Sequence, residues 1–214
     1  MGLPPSVAED GVVKYQVIHQ PGGSLDWADL LVLETWRQRL QQRGWLGQYP
    51  DGVSYGNVSQ RYAQGGLVIT ATQVAHRSEL TGTDYVLVTD YDSQTHTITV
   101  IGSTCASSEA PTHWGIYQLD PRIQVIFHIH CETLWNQLLQ QPQIPRTPPE
   151  VPYGTQAMAQ AMRRLYPVGC DPFQRNCLVM AGHQDGIFSF GRTAIEAGQV
   201  LFALAGVDHA RLIP

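Results

Sequence analysis

The chain has 214 residues, of which 43% are apolar and 14% charged, a balance that predicts one compact domain with a full core. Its net charge of −5 at pH 7 and the lack of a Lys/Arg run exclude the basic surface of a nucleic-acid-binding protein. No apolar run reaches the length of a membrane-spanning helix. Four cysteines without Cys-x-x-Cys spacing predict reduced thiols in the cytoplasm.

Residues 1–23 are predicted to form an N-terminal lead-in, and residues 24–214 a single domain. The lead-in carries neither the basic start nor the apolar stretch of a secretory signal. Ser24 or Asp26 is the predicted cap of the first helix, because short polar side chains accept hydrogen bonds from the free amides at a helix start. Gly44 is the predicted stop of that helix.

The remaining elements follow from the spacing of apolar, β-branched and turn residues. Residues 56–59 have the Gly and Asn of a turn. Thr193 and Glu196 form a predicted capping box at the start of the last helix. Strands are predicted over 12–19, 67–71, 84–90, 95–101, 176–182 and 186–190, and helices over 107–119, 131–141, 155–166 and 193–206. Hairpins mixed with single helices predict an α/β protein whose central sheet is largely antiparallel, not a doubly wound parallel sheet.

The most informative motif is a pair of histidines, His128 and His130, in an apolar run that predicts a strand. Alternation along a strand places both on one side and leaves the other side as an apolar packing face. Two imidazoles so placed can reach one metal ion at the Zn–N distance of about 2.0–2.1 Å. The same spacing is also found in pairs of partly exposed polar side chains, so the pair alone does not define a site. Cys131 points to the opposite face and is interpreted as structural.

Three further pieces also have ordinary structural explanations when each is taken alone. His183 lies at a strand end beside a glycine turn. Glu109 lies near a helix start, where the helix dipole favours a carboxylate. Gly56 and Asn57 are common turn residues.

Taken in order, however, these pieces resemble the class II aldolase/adducin family. The similarity extends over roughly residues 25–205, and its specificity lies in the ordered series. The matching segments are 44–45, 56–61, 68–72, 107–109 with His113 and Tyr117, 128–130, 151–155, His183 and 196–197.

The resemblance implies a three-layer α/β/α domain, assembled as a homotetramer with active sites at the subunit interfaces. It implies that His128, His130 and His183 hold Zn²⁺ or another divalent transition metal, with Glu109 as the catalytic acid/base. Such a site is chemically consistent, because three histidines leave positions where the ion can act as a Lewis acid on a substrate.

The resemblance also implies that two turns and a helix start bind the anionic group of a substrate. The corresponding residues are Gly56, Asn57, Thr72, Gln73, Ser107 and Ser108. Gln73 stands where the family has glycine, and a side chain there can block close backbone approach. Gln184 likewise changes the family's Asn-His-Gly around the third histidine. We therefore expect weaker discrimination for a phosphorylated substrate.

The function predicted from this resemblance is that of an aldehyde-lyase. It would cleave or form a C–C bond in a hydroxy-carbonyl compound, a sugar or a sugar phosphate, through an enediolate. A sugar-phosphate 4-epimerase and a dehydratase of the same fold are alternatives, as is a metal-binding relative acting on an unphosphorylated compound. A non-enzymatic interaction domain like the adducin head is an alternative of a different class. Glu109 favours an aldolase over an epimerase, since the epimerases commonly carry aspartate there.

Overall fold

The computed structural model describes residues 12–207 except residues 24, 103 and 168. Within them, eight strands form a central sheet and two short strands pair separately. The strands are β1 (Gln16–Gln20), β2 (Gly47–Gln48), β3 (Ser54–Tyr55), β4 (Asn57–Arg61), β5 (Leu67–Thr70), β6 (Tyr85–Asp92), β7 (Thr97–Ile101), β8 (Val125–His130), β9 (Cys177–Val179) and β10 (Gly186–Gly191). The helices are α1 (Leu31–Gln42), α2 (Ala110–Tyr117), α3 (Glu132–Leu139), α4 (Gln156–Leu165) and α5 (Ala194–Leu204).

The central sheet has the strand order β1-β7-β6-β5-β4-β8-β10-β9. The β1–β7 pair is parallel, and the other neighbouring pairs are antiparallel. Helices α1 and α5 contact each other and pack on β4, β8 and β10, whereas α2 packs against α4 and β6. The predicted α/β fold with a largely antiparallel sheet flanked by helices is confirmed.

Two consecutive residues of β8, Phe127 and His128, show how the two faces of the sheet differ. Phe127 stacks on Trp36 of α1, with ring centroids 6.0 Å apart. Because strand side chains alternate, His128 points to the opposite face. There it stacks on Phe188 at 4.2 Å, and Phe188 contacts His113 of α2 at 5.2 Å. The apolar face thus lies under α1 and α5, and the histidine face lies under α2.

The alternative explanation of residues 56–59 as a turn does not hold beyond Gly56, because strand β4 begins at Asn57. This strand lies between β5 and β8 in the middle of the sheet. Val58 and Ser59 are both 0% exposed. A strand covered on both faces lacks the apolar–polar alternation by which strands are recognised in a sequence.

The capping box predicted at the start of α5 is half right. The Thr193 hydroxyl accepts a hydrogen bond from the amide of Glu196 at 3.1 Å. The Glu196 carboxylate, however, accepts from the amide of Arg192 at 2.7 Å instead of reaching back to Thr193. Its pairing with the Arg192 guanidinium at 2.9 Å holds it one residue further out.

The predicted lead-in contributes to the sheet, because β1 pairs with β7. Ser24 and residues 1–11 lie outside the described residues, so the division at residue 23 stays a prediction. Asp26 does cap the first helical turn, accepting from the amide of Ala28 at 2.9 Å. Within the residues that the structure describes, no helix combines the length and apolar character required to cross a bilayer.

A buried ion pair joins α1 to the loop that follows β5. Arg37 is 0% exposed and donates to both carboxylate oxygens of Glu34 at 2.6 Å. Its other donors reach the carbonyl oxygens of Arg77 and Ser78 at 2.9 Å. The Tyr85 hydroxyl also donates to Glu34, at 2.7 Å. This Glu34–Arg37 cluster therefore fixes the loop against the helix.

Candidate metal centre and active site

Strand β8 ends in two buried histidines whose side chains meet. His128 is 1% and His130 is 5% exposed, and their Nε2 atoms are 3.2 Å apart. The outer nitrogen of each ring has its own partner. His128 Nδ1 lies 3.2 Å from the carbonyl oxygen of Ile187, and His130 Nδ1 lies 2.7 Å from the hydroxyl of Tyr49. Both rings therefore turn Nε2 towards a common point.

His183 reaches the same point from the loop that precedes β10. A turn positions it, in which the Gly186 amide donates to the His183 carbonyl at 3.1 Å. Its ring centroid lies 4.8 Å from that of His130 and 5.5 Å from that of His128. Gly186 leaves room for this approach, since a Cβ there would lie 3.2 Å from His128 Cε1.

Glu109 directs its carboxylate towards these histidines. It is 2% exposed and occupies the N-cap position of α2, where its side chain makes no capping hydrogen bond. Its Oε1 lies 3.6 Å from His183 Nδ1. A general preference of carboxylates for helix starts does not explain this direction.

The cluster fits a divalent transition metal. One nitrogen from each of His128, His130 and His183 can be chosen so that all lie within 4.8 Å of one another. Two nitrogens on one tetrahedral zinc ion lie about 3.4 Å apart, close to the 3.2 Å between the Nε2 atoms of His128 and His130. Burial, and then the neighbouring imidazoles, lower the pKa of His128 well below its ordinary value. The ring is therefore neutral, which is the form that binds a metal.

The register of β4 against β8 places Asn57, and Gly56 just before it, beside the cluster. Asn57 pairs directly with His128. Gly56 has a φ of +76°, and a Cβ at this position would lie 2.4 Å from Leu46 Cδ2 and 3.0 Å from the carbonyl oxygen of His128. Only glycine allows the turn to pack this closely on the histidine strand.

A second wall forms where the segment before α2 bridges to the end of β5. Ala71 and Ala106 form an isolated antiparallel bridge. The Ser107 amide donates to the Thr70 carbonyl at 3.1 Å, and the Thr72 amide donates to the Cys105 carbonyl at 3.0 Å. The 72–73 turn and the 107–108 pair, which are far apart in the sequence, therefore lie side by side.

Gln73 keeps the backbone conformation that glycine would adopt, with a φ of +61°. Its side chain is exposed at the rim of the site, and its Oε1 accepts from the amide of Ser54 at 2.9 Å. The Gln73 side chain therefore ties the 72–73 turn to β3 and occupies the amide of Ser54.

Behind Asn57 runs a chain of buried hydrogen bonds. His113 Nε2 donates to Asn57 Oδ1 at 2.5 Å, and its Nδ1 lies 2.7 Å from the Ser59 hydroxyl. That hydroxyl is 2.9 Å from the hydroxyl of Tyr117. Burial lowers the pKa of His113 to about 3, so the ring stays neutral and holds the Asn57 amide in one orientation.

The structure brings all ten sequence-predicted site residues to the wall of one cavity of about 30 Å³. Six other residues line this wall, and sequence reasoning missed the three among them with polar or aromatic side chains, Ser54, Tyr55 and Tyr153. Tyr153 stacks on His183 at 4.8 Å. Its place in the 151–155 segment, already part of the resemblance, was the signal that could have identified it. Ser54 and Tyr55 carried no such signal.

A sequence profile described as the Class II Aldolase and Adducin N-terminal domain matches residues 38–207. The chain belongs to this family. Its members share the mixed α/β fold described above, so the predicted resemblance is confirmed. No protein with a curated description matches the sequence.

Solved structures of this family match the fold. YgbL of Klebsiella pneumoniae, described as a candidate aldolase, epimerase or decarboxylase, is 23% identical with a TM-score of 0.63, over 88% of this chain and 90% of that one. An L-fuculose 1-phosphate aldolase is 18% identical with a TM-score of 0.62, over 86% and 88%. A sugar-phosphate aldolase from Thermotoga maritima is 18% identical with a TM-score of 0.60, over 81% and 89%. At these identities the similarity establishes the fold alone.

Proposed function

We propose that this class II aldolase family member is a divalent-metal-dependent lyase, which breaks or forms a carbon–carbon bond in a hydroxy-carbonyl substrate through an enediolate. The observation that supports this most is the convergence of three buried imidazoles and the Glu109 carboxylate at the end of β8. A domain that serves only protein assembly has no need of such a set. The geometry thus favours an enzyme over an adducin-like interaction domain.

In this proposal His128, His130 and His183 hold the ion, with zinc the first candidate, because three imidazoles suit it better than magnesium or calcium. When bound, the ion supplies Lewis acidity towards the hydroxyl and carbonyl oxygens of the substrate. Glu109 accepts the hydroxyl proton as the C–C bond breaks, while the electron pair passes to the carbonyl group and an aldehyde leaves. The same carboxyl group then returns the proton to carbon.

We propose further that discrimination for a phosphorylated substrate is weaker than in the sugar-phosphate aldolases of this fold. The support is Gln73, whose side chain already engages the Ser54 amide on the wall of the cavity. The effect is partial, because Asn57, Ser107 and Ser108 line the same cavity and can still bind an anion.

The proposed assembly is a homotetramer with interfacial active sites. The cavity of about 30 Å³ in this chain has room for only two or three water molecules. A sugar would therefore extend past the rim, where a neighbouring subunit can supply the remaining walls. Light scattering that gives the monomer mass of 23.7 kDa at micromolar concentration would contradict this. A cytoplasmic location stays a prediction.

The decisive experiment combines elemental analysis of tag-free protein with a screen for aldehyde release from matched phosphorylated and plain ketoses. We expect about one transition-metal ion per chain and turnover of at least one ketose. Glu109→Gln should keep the metal and lose roughly a hundredfold or more in turnover. His19→Ala, which changes an exposed histidine on β1, should keep both.

The other functional classes give distinct results in the same experiment. Inversion of a hydroxyl group, or loss of water without aldehyde release, would overturn the lyase in favour of the epimerase or dehydratase. Neither metal nor turnover in the unaltered protein would favour an interaction domain. Turnover that survives in Glu109→Gln would remove Glu109 from its proposed role.

A further inference from the structure

The hydroxyl of Tyr49 contacts the outer nitrogen of His130, one of the proposed metal ligands. Its Oη is 2.7 Å from His130 Nδ1, and the two rings meet edge to face with centroids 6.0 Å apart. We infer that Tyr49 is a positioning residue of the metal centre, which supports both proton arrangements that the His130 ring must adopt. The inference rests on the proposed metal site and adds a residue that no sequence pattern singled out.

The contacts of the two rings are compatible with one arrangement of their protons that needs no ion. His128 Nδ1 faces the carbonyl oxygen of Ile187, which can only accept, so this nitrogen carries the proton and Nε2 carries a lone pair. Without an ion, His130 Nε2 can donate across the 3.2 Å to His128 Nε2. In that arrangement the remaining nitrogen of His130, Nδ1, accepts from the Tyr49 hydroxyl.

Binding an ion through both Nε2 atoms requires a lone pair on each. The proton of His130 must then lie on Nδ1, so the ring keeps one proton and changes only its position. Tyr49 must accept in this second arrangement, with its own hydroxyl proton turned away. A hydroxyl group can both donate and accept, whereas a carbonyl oxygen or an amide N–H serves one arrangement only. Tyr49 is thus suited to hold the His130 ring before and after metal loading.

The chain around Tyr49 holds this hydroxyl in place. The Tyr49 amide donates to the Val53 carbonyl at 2.8 Å, and the Gly52 amide donates to the Tyr49 carbonyl at 2.9 Å. These bonds close the turn between β2 and β3. The Tyr49 ring also packs on Tyr55 with centroids 4.6 Å apart. The hydroxyl is therefore positioned by a closed turn and does not depend on the metal site for its location.

Tyr91 offers a matched control, because its hydroxyl lies 2.8 Å from Nδ1 of another histidine, His96, which is not a residue of the proposed site. Metal-stripped wild type, Tyr49→Phe and Tyr91→Phe would be titrated with Zn²⁺ against a metallochromic chelator. We expect Tyr49→Phe to bind zinc about tenfold more weakly or worse, and Tyr91→Phe to stay within about twofold of wild type. Equal affinity of Tyr49→Phe and wild type would overturn the inference.

A second measurement needs no variant at Tyr49. Histidine ¹⁵N NMR of the wild type, assigned with His130→Ala, should show the His130 proton on Nε2 without zinc and on Nδ1 with it. The same nitrogen protonated in both samples would overturn the inference even if Tyr49→Phe failed to fold. Weaker zinc binding by Tyr49→Phe together with no lyase activity in the wild type would support the inference and overturn the proposed function. A wild type that binds neither zinc nor another divalent transition metal would overturn both.

Discussion

Two groups of buried ionisable side chains differ in whether opposite charges are paired within the group. In the Glu34–Arg37 cluster a carboxylate and a guanidinium are matched by two hydrogen bonds of 2.6 Å, and backbone groups take the other guanidinium donors. At the proposed metal centre like groups converge instead, with the Nε2 atoms of His128 and His130 3.2 Å apart. The first cluster holds a loop in place, whereas the second gathers the donor atoms that a cation would join.

The two groups are linked by the loop between β5 and β6. This loop begins with the 72–73 turn on the cavity wall and continues to Arg77 and Ser78, which Arg37 holds by their carbonyl oxygens. The Glu34–Arg37 ion pair thus makes the loop rigid, and the proposed metal centre provides the atoms that would bind a cation. The following four predictions test this division of roles.

The largest effect on stability is expected at the closed cluster. Arg37→Met leaves the Glu34 carboxylate, 5% exposed, without its charge partner, so the free energy of unfolding should fall by about 3–5 kcal/mol. Urea denaturation of metal-free protein measures this. The double variant Glu34→Gln/Arg37→Met should be less destabilised, because it leaves no buried charge. Arg192→Ala, at a side chain 50% exposed, should cost within about 1 kcal/mol. If Arg37→Met lowers the free energy of unfolding no more than Arg192→Ala does, the cluster does not provide the rigidity of the loop.

Zinc should stabilise the protein through the proposed metal centre and not through an ion pair such as that of Arg192. Zinc at about one hundred times its Kd should raise the free energy of unfolding by about 2.7 kcal/mol in the parent protein. His128→Ala and His130→Ala should lose both this gain and the stoichiometric metal, whereas Arg192→Ala should keep both. The measurements are thermal unfolding with and without zinc and elemental analysis. If both histidine variants retain about one ion per chain, the ligand assignment is wrong.

Acid should destabilise the protein through its buried imidazoles. The pKa of His113 falls to about 3 on folding, so below pH 6.5 the unfolded chain binds a proton that the folded chain does not. Stability contributed by the neutral ring is complete above pH 6.5 and declines as pH falls. The loss for His113 alone is about 2 kcal/mol between pH 6.5 and 5. Denaturant unfolding against pH should show a shallower slope for His113→Gln in metal-free protein. Equal slopes would contradict a buried, neutral His113.

The smallest effect is expected at the rim, where the loop meets the cavity. Gln73→Gly should strengthen binding of a sugar phosphate by about tenfold, or about 1.4 kcal/mol, and leave the unphosphorylated sugar unchanged. Gln73→Ala separates two causes, because alanine frees the Ser54 amide but keeps a Cβ. If both variants bind the sugar phosphate more strongly, the Ser54 amide is the cause. If only Gln73→Gly does, the cause is close approach of the backbone. If the parent protein already binds a phosphorylated ketose as well as Gln73→Gly does, the expectation fails.

Much of the fold was predictable because local periodicity encodes it. The hairpin of β6 and β7 and the helix capped by Asp26 both follow from patterns within a short window of sequence. Strand β4 was missed, because burial on both faces removes the alternation that identifies a strand. The site residues were predicted from an ordered series of motifs, each of them weak when taken alone. Tyr49 belongs to none of these motifs.

By itself, the sequence determined which residue types could bind a metal and that His128 and His130 share one face of a strand. It also determined where glycine permits close packing, as at Gly56. Only the tertiary structure decided that His183 and Glu109 converge on that face, that Asn57 lies in register with His128, and that the Gln73 side chain turns to Ser54. The physical reason is that side-chain periodicity is a property of a few neighbouring residues. Contacts between distant segments depend on strand register and loop closure, which the packing of the whole sheet sets.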